Sequence, residues 1–329
     1  MSAVLSPMQE AATPARAQRA DAEFFIVLNE GSGKEEKGGV REAIEAELQR
    51  AGRRYQFVPV PPGEILQACQ QAAKLASEQG GVLVGAGGDG TINCAAQAAL
   101  THDCPLGLIA QGTFNLFARE LGLSLDAAEA TRFLLHAAPE PVQVCLANEK
   151  VFLVNASVGL YPKLLADREE VKQRLGRRRW IAMLAALKSL LEWRLQLTLD
   201  SEMDGELAQL RTASVFLCNN RLQLQRVGIQ DYVVEQVGQG RMACLLVPTM
   251  RWWAKLRMVA SAAFGTLGDD GRIQAFPLRS ITVSSRNARR LKVATDGEVQ
   301  FMELPIRFTV SPKPLRVMLP PLEERLPPK

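Results

Sequence analysis

One stretch constrains this chain more than any other: Gly81-Val82-Leu83-Val84-Gly85-Ala86-Gly87-Gly88-Asp89-Gly90-Thr91-Ile92-Asn93. Val82, Leu83 and Val84 are a short apolar run, the composition of a strand buried on both faces. Four glycines follow within six positions, and Ala95, Ala96, Ala98, Ala99 and Leu100 then read as a helix. A strand, a glycine turn and a helix bring bare backbone N–H groups up to a phosphate, because no Cβ holds the phosphate off. Asp89 lies inside that turn. A carboxylate repels phosphate, so Asp89 is expected to meet Mg²⁺ or to orient Thr91 and Asn93.

Rival readings of the glycines leave more of the stretch unaccounted for. Gly85-x-Gly87-x-x-Gly90 has the spacing of a dinucleotide fingerprint, but that fingerprint also needs an acid about 20 residues on, at the end of the next strand. The next strand, Leu106-Gly107-Leu108-Ile109-Ala110, ends in Gln111-Gly112. Gly31-Ser32-Gly33-Lys34 lacks both the first glycine and the hydroxyl residue of a phosphate-binding P-loop. A purely structural turn explains the glycines but not the grouping of Asp89, Thr91 and Asn93.

Gly87-Gly88-Asp89-Gly90-Thr91-Ile92-Asn93 resembles the signature of the diacylglycerol kinase catalytic-domain family. That family includes bacterial lipid kinases and sphingosine kinases, and it shares its nucleotide loop with NAD kinases and phosphofructokinases. Three further blocks follow in order. Leu28-Asn29 with Ser32-Gly33 resembles the opening turn, Gly112-Thr113-Phe114-Asn115-Leu116-Phe117-Ala118-Arg119 the second phosphate-side motif, and Asp296-Gly297-Glu298 the C-terminal acidic motif. The resemblance covers roughly residues 23 to 319.

It implies ATP bound through Asn29, Ser32, Gly33, Gly87, Gly88, Asp89, Gly90, Thr91, Asn93, Gly112, Thr113 and Asn115. Mg²⁺ would arrive with the nucleotide. Glu298 would be the proton acceptor and Asp296 would lie near the metal. In an extended segment, alternation would put both carboxylates on one side. Taken locally, Asp296-Gly297 also reads as a solvated turn.

The chain departs from the family at several points. Asn93-Cys94 and Asn115-Leu116 stand where the family carries an acid or a histidine after each asparagine, and Pro59 stands near a position often held by threonine. Gly238-Gln239-Gly240-Arg241-Met242 carries no carboxylate where some bacterial members hold a structural Mg²⁺, so no structural metal site is expected.

The rest of the pattern divides the chain. Residues 1–21 read as a flexible tail. Strands at Phe24–Leu28, Tyr55–Val58, 82–84 and Leu106–Ala110 alternate with helices over 40–48, Ile65–Glu78, the alanine run and Asp126–Ala138. Alternation of this kind predicts a doubly wound parallel α/β domain over 22–140, with its ligand at the carboxyl ends of the strands. After Pro139 and Pro141, short β-like runs at 142–146, 151–155, 196–199, 213–217, 243–247, 280–284, 291–294 and 306–310 predict a mainly β sandwich over 141–320, with a short tail at 321–329. The resemblance implies the same layout, with the active site in the cleft between the domains.

At 329 residues, the chain is long enough for two cores. Its six cysteines form no Cys-x-x-Cys pair and it has only two histidines, which argues against zinc and for reduced thiols in a cytoplasm. No apolar run is long enough to span a bilayer. Two basic-aromatic segments, with Arg177, Arg178 and Trp180 in one and Trp252 and Trp253 in the other, suit peripheral contact with an anionic membrane at its inner face. The same segments also suit helices packed on the sandwich. Basic groups are too few for nucleic acid, and no pattern bears on oligomeric state. The expected activity is therefore transfer of the ATP γ-phosphoryl to a lipid hydroxyl. The alternatives are a kinase of a soluble acceptor such as NAD, and a lipid- or nucleotide-binding protein that has lost catalysis.

Overall fold

The computed structural model describes residues 22–29, 39–159, 197–203, 206–212, 214–247, 274–285 and 288–327. The first half alternates as its periodicity requires: β1 (Phe24–Leu28), α1 (Gly39–Arg50), β2 (Tyr55–Phe57), α2 (Ile65–Gln79), β3 (Val82–Gly87), α3 (Asp89–His102), β4 (Leu106–Ala110), α4 (Leu116–Glu120), α5 (Ala127–His136) and β5 (Ala138–Val142). All six residues of β3 and all five of β4 are buried, as strands covered on both faces must be. On one face α2 and α3 meet through small side chains, Ala68, Ala72 and Ala76 against Ala95, Ala96 and Ala99. On the other face Ile44 and Leu48 of α1 and Ala130 and Leu134 of α5 cover Phe24, Ile26 and Val84.

The chain continues through β6 (Cys145–Ala147), β7 (Lys150–Phe152), β8 (Asn155–Gly159), β9 (Leu197–Met203), β10 (Glu206–Thr212), β11 (Ser214–Cys218), α6 (Arg221–Arg226), α7 (Asp231–Gln236), β12 (Met242–Val247) and β13 (Gln274–Leu278). It ends through β14 (Ser280–Ser284), β15 (Arg290–Thr295), β16 (Glu298–Glu303), β17 (Ile306–Val310) and β18 (Leu315–Leu319).

Two six-stranded sheets, β10-β9-β14-β17-β6-β7 and β13-β12-β11-β8-β15-β16, enclose one core. Phe152, Ile281, Val283, Ile306 and Phe308 of the first pack on Val158, Val215, Leu217 and Val293 of the second. This is an open sandwich rather than a closed barrel, and the fold class agrees with the sequence pattern. On the second sheet's other face, α6 and α7 bury Leu224, Val233 and Val234 against Cys218, Ala243 and Leu245.

One strand departs from the division at 140/141. β18 runs back into the first sheet, whose order is β2-β1-β3-β4-β18-β5. It lies parallel to β4 and antiparallel to β5. The α/β domain therefore closes only with residues from the end of the chain. β5 is an edge strand, which is why Pro139 and Pro141 are tolerated in it. The chain crosses into the sandwich beyond Val142 and returns beyond Val310, and the two crossings lie side by side: Ser311 N–H donates to the Val144 carbonyl at 2.9 Å.

The run 151–155, expected as one strand, is broken. Lys150–Phe152 joins one sheet and Asn155–Gly159 the other. At the break, the Leu153 and Val154 N–H groups donate to the Asp296 carboxylate (2.7 and 2.9 Å) and not to a neighbouring strand.

Candidate active site

The glycine turn is tighter than its sequence suggests. β3 ends at Gly87 and α3 begins at Asp89, with only Gly88 between them as helix cap. No side chain caps this helix. Its first-turn amides therefore open toward the cleft, with the positive end of a helix dipole behind them. The side chains singled out from the motif hold the turn rather than line it. Thr91 is buried beneath Gly87, where a Cβ would stand 2.6 Å from the Thr91 Oγ1. Asn29 at the end of β1 donates its side-chain amide to that same Oγ1 at 3.0 Å. Gly90 is exposed at the rim.

The second motif is locked to the first. Asn115 adopts φ 50°, a left-handed conformation that asparagine tolerates better than most residues. Its Oδ1 accepts from the Gly112 N–H and its Nδ2 donates to the Gly112 carbonyl, both at 2.8 Å. Its backbone N–H donates to Asp89 Oδ2 at 3.1 Å. A Cβ on Gly112 would meet Asn115 Oδ1 at 2.7 Å and the Gly88 Cα at 3.0 Å. Asp89 thus ties the two motif loops together, a contact the sequence did not indicate. Thr113 and Phe114 lie exposed at the tip.

Asp296 and Glu298 both reach this place from the sandwich, but not on a shared face. Asp296 and Gly297 are the two turn residues of the β15–β16 hairpin, with φ of 47° and 89°, and Thr295 pairs directly with Glu298. The alternation expected of an extended segment is therefore absent. Asp296 turns inward. Its Oδ2 accepts from Asn93 Nδ2 and Leu153 N–H at 2.7 Å, and its Oδ1 from Val154 and Asn155 N–H at 2.9 and 3.0 Å. Burial raises its pKa, and the four donors offset only part of that rise. This is neither a solvated turn nor a free base. It is a carboxylate pin joining α3 to the sandwich.

Glu298 turns outward, its side chain 62% exposed. Its Oε1 lies 3.5 Å from the point where a Cβ on Gly90 would stand, and its Oε2 accepts from Lys150 Nζ at 3.1 Å. β7, which carries Lys150, is laid along α3: Gln97 Oε1 accepts from Val151 N–H and Gln97 Nε2 donates to the Glu149 carbonyl (2.7 and 3.2 Å). Cys94 sits among these groups. Its thiol pKa is raised by burial and by Glu298, and lowered by Lys150.

Sequence reasoning missed several residues around the cleft. A cavity of about 680 Å³ opens beside Asn29; besides Leu28, Asn29 and Pro59, singled out in the sequence, it is lined by Arg41, Phe57 and Ile65 among others. Its size is that of a small-molecule site. In it the Arg41 guanidinium lies 4.2 Å from the Phe57 ring centre. On the far face of the second sheet, Asn155 and Ser157 are buried, and Asn155 Oδ1 and Ser157 Oγ have no hydrogen-bond partner among the described residues. A buried orphan acceptor is costly unless something fills it, and single residues in a strand give no such signal in sequence. Ser32, Gly33, Arg177, Arg178, Trp180, Trp252 and Trp253 lie outside the described residues. Among the described residues no cluster of three or more metal-ligating side chains occurs, and no helix is long and apolar enough to cross a membrane.

Comparison with known proteins agrees with this layout. Residues 23–147 match the family model for the diacylglycerol kinase catalytic domain. A Staphylococcus aureus (strain Newman) protein named "Putative lipid kinase" is 28% identical over 181 residues, 51% of this chain and 58% of that protein. An uncharacterized protein of Synechocystis sp. is 32% identical over 116 residues, 34% of this chain and 27% of its own length. The chain thus aligns with between a quarter and three fifths of these relatives. The crystal structure described as a diacylglycerol kinase from Bacillus anthracis str. Sterne superposes with a TM-score of 0.66 at 19% identity, covering 93% of this chain and 99% of that one. At that identity the likeness is one of fold.

Proposed function

From a chain whose residues 23–147 match the diacylglycerol kinase catalytic domain, we propose an ATP-dependent phosphotransferase whose acceptor is a lipid hydroxyl. The observation that carries this reading is the approach of Glu298, from the second domain, to Gly90 on the glycine turn of the first. A carboxylate held beside a phosphate cradle, but on a separate domain, can take a proton from an acceptor that enters between them.

In this reading the first-turn amides of α3 and the loop at Gly112 hold the phosphates. Gly90 leaves open the room that a Cβ would fill, while Gly87 and Gly112 let Thr91 and Asn115 pack against the turn that carries those amides. The cavity lined by Phe57 and Pro59 takes the nucleoside. Asp89, the carboxylate of the glycine turn, is the residue that would meet Mg²⁺. The ion supplies charge neutralisation at the transferring phosphoryl group. The acceptor hydroxyl oxygen attacks the γ-phosphorus, its proton passes to Glu298, and the bond to the β-phosphate oxygen breaks to release ADP. Asn93 and Asp296 hold the two domains in register for this step and touch no reactant. Asn155 Oδ1 and Ser157 Oγ, unpartnered and close in sequence to the Asp296 contacts, are the polar groups proposed to receive the acceptor's head.

The test is transfer of labelled γ-phosphate from ATP with Mg²⁺ into total bacterial lipid extract, by the parent protein and by Glu298→Gln. The expected result is a labelled lipid with the parent, and a loss of roughly 100-fold or more in turnover for the variant, with ATP affinity kept. A labelled soluble product instead, such as phosphorylated NAD, would move the acceptor out of the lipid class. A variant that loses only ATP binding would remove Glu298 from the role of base.

A further inference from the structure

The described surface has one place where unneutralised cations surround an exposed ring. Phe301 on β16 is 57% exposed, one of the few large apolar side chains that are. Directly across the hairpin is Lys292, whose Nζ lies 5.6 Å from the ring centre, and the Arg290 guanidinium carbon lies 4.8 Å from it. Arg289, the residue before Arg290, is also exposed. Among the described residues, none of these three cations is ion-paired with a carboxylate, although Glu303 is the cross-strand partner of Arg290. Among the described residues, β16 is the last strand of its sheet, with no strand paired beyond it.

The pleat places this patch relative to the site. Lys292, Ala294, Val299 and Phe301 share one face of the hairpin, by cross-strand pairing and alternation. Through Ala294 paired with Ser157, it is also the face that carries the orphan Asn155 Oδ1 and Ser157 Oγ. Phe301 stands three residues beyond Glu298 on the same strand, a distance of about 10 Å.

We propose that the outer face of the β15–β16 hairpin, with Phe301 as wedge and Arg290 and Lys292 as phosphate contacts, docks on an anionic bilayer. The occupant follows from the chemistry. A phenyl ring rimmed by aliphatic-stemmed cations can bury its apolar part at the acyl boundary while the charges stay with lipid phosphates. The cations outnumber the single acid on the face, so the attraction needs anionic lipid. The identity of the occupant as a bilayer rests on the lipid-acceptor reading above, but the surface can be tested without it.

The experiment is co-sedimentation of the full chain with phosphatidylcholine vesicles containing roughly 30% phosphatidylglycerol, at low and at physiological salt. The parent is compared with Arg290→Ala/Lys292→Ala and with Phe301→Ser. Circular dichroism checks that the fold is kept. The parent is expected to bind and to lose binding as salt rises. The double variant should bind roughly tenfold or more weakly, and Phe301→Ser severalfold more weakly. Equal binding by parent and variants would overturn the proposal. So would a parent that ignores the vesicles at low salt, or that binds a DNA duplex in their place.

Lipid phosphorylation is read in the same vesicles. Binding that depends on the three residues, without labelled lipid, would uphold the surface and remove the kinase reading. Labelled lipid with binding unchanged in the variants would do the reverse.

Discussion

Asp296 and Glu298 are two residues apart and belong to different kinds of chemistry. The carboxylate of Asp296 accepts four hydrogen bonds, three from backbone N–H groups and one from Asn93. An amide in its place would turn an NH₂ group toward donors, so Asp296→Asn is expected to cost about 2–4 kcal/mol and to lower the melting temperature by roughly 5–10 °C. Glu298→Gln should leave melting within about 2 °C, because an exposed ion pair with Lys150 contributes little. Differential scanning calorimetry on the two variants separates the pin from the proposed base; equal destabilisation would contradict the division. The Asp-Gly pair and its neighbouring acid were legible in the sequence. Their division of labour was not, because the side a turn residue faces depends on which distant strand donates to it. Here the donors come from 153–155, about 140 positions away.

At the scale of elements, the parallel strands and long helices of the first domain follow from local pattern, whereas the short helices do not. α4, α6 and α7 are five or six residues each, too short for a hydrophobic period to be seen. Two of them form a junction between the domains. Glu120 at the end of α4 accepts from the Arg221 N–H at the start of α6 at 2.8 Å and from the Asn220 side chain. Asn220 also donates to the Leu116 carbonyl and caps α6 by accepting from the Gln223 N–H. Burial pushes the Glu120 carboxyl from its ordinary 4.5 up to about 7, against the lowering effect of the Arg221 N–H and charge.

The folded chain therefore holds a proton here that the unfolded chain gives up between those values, and stability falls as pH rises through that window. The expected loss between pH 5 and pH 7.5 is on the order of 1–3 kcal/mol. Glu120→Gln should flatten that slope, as measured by denaturant unfolding at the two pH values. An unchanged slope would place the titration elsewhere.

For the whole molecule, the most consequential fact is the return of β18 between β4 and β5. No local property of Leu315–Leu319 could announce it: the run reads as one more β segment after a series of them, and only the sheet order assigns it to the first domain. Residues 22–142 expressed alone would lack that strand and expose the flank of β4. They are expected to be insoluble or molten by near-ultraviolet circular dichroism, and to recover cooperative unfolding when co-expressed with a segment carrying 311–327. Cooperative unfolding of 22–142 alone would show that the sixth strand is dispensable. The sandwich itself was readable as a class from turn-separated β runs, while its strand order required the structure.

The two crossings between the domains, joined by the hydrogen bond from Ser311 to Val144, make the sandwich an insertion whose entrance and exit touch. Such a unit can be exchanged on its host as a cassette, since a replacement needs only ends that meet at the same spacing. Under the function proposed above, donor chemistry and acceptor choice can then be inherited separately: the glycine turn at Gly87–Gly90 stays with the host, and whatever fills the far face of the second sheet travels with the insert. The constraint on any such exchange is narrow. The incoming unit must bring a hairpin that supplies a pin for Asn93 and a carboxylate over Gly90, so lineages that differ in every other part of the insert should keep that hairpin's length.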